Sequence, residues 1–288
     1  MLRAVLLILT SAALIVPRAA DSPDILHRER SSRGDLEVGG ELSDAPAQSI
    51  RYIRYEDLLR LPQETYTVSD DSNLLAKTEI SGVALETLAR NLGQPADSMI
   101  VAICDDRYQA HYPRDYVTAH HPLLVLSING QPHDHWPPSL EGSPLGPYFI
   151  SHPSFKPAFK VLSYEDEPQV PYGVVAIEFH RETAVYGAIQ PGAQWHGNEK
   201  VQQGYLIARQ DCLRCHNMAA QGGTKASRSW LKLAQRADED GSGFRQTIRN
   251  PKSVNPGAQM PTHSGYDDAT LDALTAYFKT VAITGSER

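Results

Sequence analysis

Cysteine is scarce, with three in 288 residues. That excludes a disulfide-built scaffold, and the odd number leaves at most one pair. Basic charge is also short: 27 Lys and Arg stand against 34 Asp and Glu, a formal charge of −7. A general nucleic-acid binder wants a basic face, so no nucleic-acid partner is expected. No apolar run reaches the ~20 residues that span a bilayer. The chain has no internal repeat, low-complexity tract, phosphate loop, Ser-His-Asp arrangement or paired-carboxylate motif. What is present is 41% hydrophobic and 21% charged, which excludes wholesale disorder and suits about two domains.

The N-terminus reads as an export signal. Arg3 is followed by the uncharged stretch Val5 to Val16, then by Pro17, Arg18, Ala19 and Ala20 before the chain turns polar at Asp21. This is the three-part layout of a secretory signal, expected over residues 1–20. Arg18 sits where cleavage prefers a small residue, so an uncleaved anchor is the alternative. Removing Arg3 and Arg18 would leave 25 basic residues against 34 acidic, a charge of −9. No Arg pair marks the twin-arginine route. The expected location is the periplasm or another exported compartment, with no membrane span in the mature chain.

Residues 21–48 are polar and are expected to form a flexible leader. Residues 49–185 mix short strands and helices. Strands are expected at 51–55, 65–69, 98–104, 123–130, 146–153, 160–164 and 173–179 from alternating or continuous apolar runs. A helix is expected at 82–93, stopped by Gly93. Residues 186–197 carry Gly and Pro and suit a linker. From 198 to 288 the pattern turns to helices, including 201–210 and 267–281, the latter with Asp267 as N-cap.

The strongest motif is Cys212-Leu213-Arg214-Cys215-His216, a C-x-x-C-H. Positions i and i+3 share one helix face, so two thiols there can each form a thioether with a haem vinyl group. The adjacent His216 can then turn its imidazole onto the iron. A zinc ribbon would need a second ligand pair, and the remaining cysteine, Cys104, is far away in sequence. A thioredoxin-type pair wants a βαβ setting, and a plain disulfide leaves His216 unexplained. Gly204 on the preceding helix would allow close approach of Tyr277 on the last one.

Residues 198–284 resemble a class I cytochrome c domain: a first helix ends in C-x-x-C-H, a Met-Pro follows, and an aromatic-bearing last helix closes the unit. The quoted parts are Cys212, Cys215 and His216, then Met260-Pro261, then Leu274 to Tyr277. The resemblance implies an all-α haem domain, one covalent haem c, His216 as proximal ligand and Met260 as distal ligand. A thioether ligand favours ferrous iron and raises the potential. Met218, His263 and His196 are the competing distal candidates. His263, three residues beyond Met260, is the strongest of them.

Residues 50–180 resemble the molybdopterin-binding domain of the sulfite oxidase family. The stretches are Tyr55 to Pro62, Ser81 to Leu88, Cys104-Asp105-Asp106-Arg107-Tyr108, and Leu123 to Gly130 with Gly146-Pro147. The resemblance implies a β-rich α+β domain in which Cys104 could ligate a metal, with Arg107 and His111 near a pterin phosphate. Asp105 and Asp106 oppose an anionic cofactor, and export without a twin-arginine signal argues against inserted molybdenum. The expected fold is therefore two domains, a sulfite-oxidase-like α+β unit followed by an all-α class I cytochrome c. The expected function is single-electron transfer between a periplasmic redox enzyme and an acceptor, with a basic docking face on the partner, the N-terminal domain serving docking or orientation, and no catalytic residues. The alternative is a molybdenum oxidoreductase that uses Cys104 and passes electrons to its own haem.

Overall fold

The computed structural model describes residues 25–43, 46, 49–75 and 77–286. The expected signal segment lies outside the described residues. The chain builds a large curled sheet from β1 (Leu36–Gly40), β2 (Arg51–Ile53), β3 (Glu64–Val68), β4 (Thr78–Ala84), β5 (Met99–Cys104), β6 (Gln109–Tyr112), β7 (Leu123–Ile128), β8 (Tyr148–Ser151) and β11 (Tyr172–His180). A separate hairpin pairs β9 (Lys160–Val161) with β10 (Tyr164–Glu165). The large sheet runs β2-β1-β11-β8-β7-β4-β3, with β5 on β11 and β6 on β5. Among the described residues, only the β1–β11 pair is parallel.

The helices are α1 (Tyr55–Leu58), α2 (Leu85–Asn91), α3 (Arg114–His120), α4 (Glu182–Tyr186), α5 (Glu199–Asp211), α6 (Trp230–Glu239), α7 (Gly241–Arg249), α8 (Pro251–Val254) and α9 (Asp268–Ser286). Side chains cap the N-termini of α5, α7 and α9. Asn198 accepts from Val201 N at 3.1 Å, Asp240 from Gly243 N at 2.9 Å, and Asp267 from Thr270 N at 2.8 Å. Asp267 thus caps α9 as its sequence position predicts.

Period-two alternation sorts β5 onto two cores. Ile100, Ala102 and Cys104 join a cluster with Leu88 of α2, Tyr116 of α3 and Phe179 of β11. Met99 and Val101 join a cluster on the opposite face, with Tyr205 of α5, Trp230 of α6, Phe244 of α7 and Phe278 of α9. Fully burying side chains of this size stabilises the fold by about 1.5–3 kcal/mol each. Gly204 lets α5 press on α9: a Cβ there would meet the Ala273 carbonyl and, at 2.8 Å, the Cβ of Tyr277.

This architecture corrects the expected fold class. The chain is a mixed α/β protein on a large curled sheet, with helices holding only 33% of the residues. The expected all-α class I cytochrome c is not what forms. The apolar faces of α5, α6, α7 and α9 are completed by Met99 and Val101 of the sheet and by Tyr164, Val185, Tyr186 and Ile189. Helical periodicity reports an apolar face but not what covers it.

Three local expectations are also corrected. Residues 36–40, within the expected flexible leader, form β1, where Leu36 and Val38 are fully buried. Gly82 to Ala84 end β4 rather than start a helix, and Gly82 lies against the Leu124 carbonyl of the neighbouring strand. In the expected linker, Ile189 is buried and its carbonyl accepts from the Tyr277 hydroxyl at 2.6 Å.

Candidate functional site

Helix α5 delivers the C-x-x-C-H loop. Its C-cap is Cys212, whose N–H donates to Ala208 O at 2.9 Å. Leu213 then turns wholly inward, and the N–H groups of Cys215 and His216 both return to Cys212 O, at 3.2 and 3.0 Å. The result is one tight turn that holds Cys212 and Cys215 a helical step apart. Both are free and half-buried. Burial pushes the Cys212 thiol well above its ordinary value and the Cys215 thiol up to about 11. Both are therefore uncharged at neutral pH.

His216 is buried, with 8% of its surface exposed. Its Nδ1–H donates to the Arg228 carbonyl at 2.6 Å. That bond fixes the ring and leaves Nε2 with its lone pair, the state an iron ligand requires. Burial lowers the pKa of His216, against the raising effect of the Arg228 bond. The side chains here fit a covalently tethered haem: two unpaired thiols, an oriented imidazole and an apolar wall.

The distal candidates differ in burial and in partners. Met260 is half-buried and, like Cys212 and Met218, flanks the helix-side apolar cluster. His263 stacks on Tyr266 with centroids 4.8 Å apart, and its Nδ1 lies 3.5 Å from Asp211 Oδ2. Met218 is fixed in a turn by paired backbone bonds with Gln221. His196 is exposed ahead of α5.

Cys104, Arg107 and His111 do not converge. Cys104 ends β5 inside the core shared with α2 and α3, where burial, then Asp106 and Asp105, push its thiol up. A metal-binding cysteine needs the thiolate. Arg107 is exposed at the hairpin tip, with φ +70°. His111 is paired with Val101, so it faces the helix layer, opposite to Cys104. These residues do not fit a molybdopterin centre. Among the described residues, no group of three or more His, Cys, Asp or Glu gathers as a metal site. His133 and His135 lie on a short turn, Asp134 being the neighbour that His133 meets at 3.0 Å. A cleft of about 750 Å³ is lined by Arg30, Arg33, His133 and Trp136, and by none of the C-x-x-C-H residues.

The two regions that carry the motifs nevertheless meet. The β5–β6 turn seats directly on the C-x-x-C-H loop. Gln109 N donates to Arg214 O at 2.9 Å, and Thr224 N donates to Arg107 O at 3.1 Å. Lys225 pairs with Asp106 at 2.5 Å and lies 5.7 Å from the Tyr108 ring centroid. Gly223 makes the fit possible: a Cβ there would strike Arg214 O and approach Arg107 O at 3.1 Å. The sequence alone assigns no role to Arg214, Tyr108, Gly223 or Lys225. The signal available was the pair Gly222-Gly223, which marks a close backbone approach.

Among the described residues, no helix is long and apolar enough to cross a membrane. No protein-family model matches the chain. No curated protein matches it either. Among solved structures, the sulfane dehydrogenase SoxCD from Paracoccus pantotrophus is similar over part of the chain, at 16% identity and a TM-score of 0.35. The similar region covers 54% of this chain and 40% of that one.

Proposed function

We propose that this protein is an exported one-electron carrier with one haem c attached through Cys212 and Cys215. In this reading His216 Nε2 is the proximal ligand and Met260 the distal one. The haem supplies a ferric–ferrous couple. The chain's own residues would hold it and orient it. Arg228 O fixes the tautomer of His216 and strengthens its basicity. Met260, a soft donor, favours the reduced state. The acidic surface suits a partner redox protein with a basic docking face, so encounter should weaken as salt rises.

The observation that carries the reading is the His216 Nδ1 bond to Arg228 O at 2.6 Å beside two free, half-buried cysteines. Two unpaired thiols are what thioether attachment needs, and an imidazole clamped at Nδ1 is what axial ligation through Nε2 needs. The test is expression of the full chain in a host that exports and attaches haem c, followed by acid-acetone extraction. Colour should stay with the polypeptide of the parent and leave the doubly substituted Cys212→Ala, Cys215→Ala chain. A parent that loses its haem, or a double variant that keeps it, refutes the proposal. Stoichiometric molybdenum in the purified protein, lost in Cys104→Ala, would favour the enzyme reading instead.

A further inference from the structure

Arg214, the second spacer of the motif, points inward. Only 8% of it is exposed. Its Nε donates to Gln210 O at 2.7 Å, and its Nη1 is 3.8 Å from Glu167 Oε2. Its Nη2 is buried and has no hydrogen-bond partner among the described residues. Tyr164 Oη, Gln210 Oε1 and both ring nitrogens of His111 share that condition. The nearby Asp211 is occupied elsewhere, accepting from Tyr266 Oη at 2.8 Å and facing His263. The guanidinium is thus a buried cation with two acidic neighbours, Asp211, which is already engaged, and the half-exposed Glu167. The β5–β6 turn fastens it through Gln109 N.

We infer that Arg214 is a positioning residue whose buried charge, open at Nη2 and held by the sheet, raises the reduction potential of iron bound at His216. This rests on the haem reading above. Gaining one electron lowers the charge of the iron centre by one. A fixed cation in a poorly screened interior stabilises that reduced state. The strand region then has a role that needs no cofactor of its own: it sets the electrostatic environment of the haem loop.

The experiment equilibrates haem-loaded protein with a ferricyanide–ferrocyanide couple and reads the reduced fraction by absorbance. Arg214→Gln should shift the equilibrium at least tenfold toward oxidised protein, with the haem spectrum unchanged. Arg214→Lys should recover more than half of that shift on a logarithmic scale. Glu167→Gln, which removes an opposing negative charge, should shift it the other way. Loaded Arg214→Gln within twofold of the parent overturns the inference. So does a Glu167→Gln shift in the same direction as Arg214→Gln, which would mark loosening of the loop. If Arg214→Gln yields no folded protein, the sign of the Glu167→Gln shift decides. A parent without covalent haem refutes the carrier reading instead, so the two failures are distinct.

Discussion

Tyr277→Phe isolates the polar clamp in the helix-side core. The Tyr277 ring is fully buried and packs near Tyr205, Trp230 and Phe278, with centroids 5.8, 6.3 and 5.1 Å away. Phenylalanine keeps that packing and removes only the hydroxyl. The hydroxyl donates to Ile189 O at 2.6 Å and accepts from Trp230 Nε1 at 3.0 Å. Both partners would be left unsatisfied, at a cost of about 1–3 kcal/mol each. A total of about 3 kcal/mol corresponds to a fall of about 6–12 °C in Tm for a protein of this size. Urea unfolding followed by circular dichroism should show the midpoint falling with its slope unchanged. Trp230→Phe removes one of the same two bonds, so the two substitutions should cost less together than the sum of their separate effects. A Tyr277→Phe loss below about 1 kcal/mol would refute the reasoning, because it would mean that the orphaned groups find other partners.

Gly204→Ala improves helix preference by about 1 kcal/mol, yet its Cβ would press on Ala273 O and Tyr277, an overpacking cost of about 1–3 kcal/mol. The expected outcome is a lower urea midpoint, and a variant as stable as the parent would show that α5 and α9 separate freely. Burial alone would raise the Asp35 pKa, but donors on Ser31 and Ser32 outweigh it and bring the value from 3.8 to about 2. Because the folded state holds this proton more weakly, the stabilisation is present above the unfolded value and is lost as pH falls toward about 2. Asp35→Asn should flatten the urea midpoint against pH in that window, and an unaltered slope would count against the assignment. Met260→Ala should lower the haem potential and remove the weak near-infrared sulfur-to-iron band of the oxidised protein, whereas persistence of the band would exclude Met260 as the ligand.

Much of the local structure was legible because it follows local rules. The continuous apolar run 98–104 is β5, the Asn129-Gly130 turn ends β7, and the spacing of Leu271, Leu274, Tyr277 and Phe278 makes α9. Gly204 facing Tyr277 was legible too, since a lone glycine in a helix implies close approach. The tertiary level was not. Leu36 and Val38 alternate across one acidic residue, too short a pattern to outweigh polar surroundings, and their burial comes from β11, far along the chain. The all-α expectation failed for a related reason. The exposed-looking edges of α5 and α9 are closed by Met99, Val101 and Tyr164, which no helical periodicity can announce. His111 and Cys104 looked like neighbours by sequence, but odd spacing along a pleated hairpin puts them on opposite faces.

That parity bears on what the sheet contributes. A metal enzyme would require Cys104 to leave the α2–α3 core as a thiolate, against burial and the charges of Asp105 and Asp106. The same hairpin directs its backbone donors and acceptors to the C-x-x-C-H loop, through Gln109 to Arg214 and Arg107 to Thr224, and adds the Asp106–Lys225 pair. Each of these contacts restrains the residues flanking His216, and none involves Cys104. On the carrier reading, Cys104→Ala should therefore leave covalent haem in place after acid-acetone extraction and change stability through packing alone. Displacing the hairpin should instead disturb the loop, because Gly223 leaves no slack between Arg214 O and Arg107 O. The chemistry read from the strand domain thus shifts from a ligand at the end of β5 to the turn that follows it.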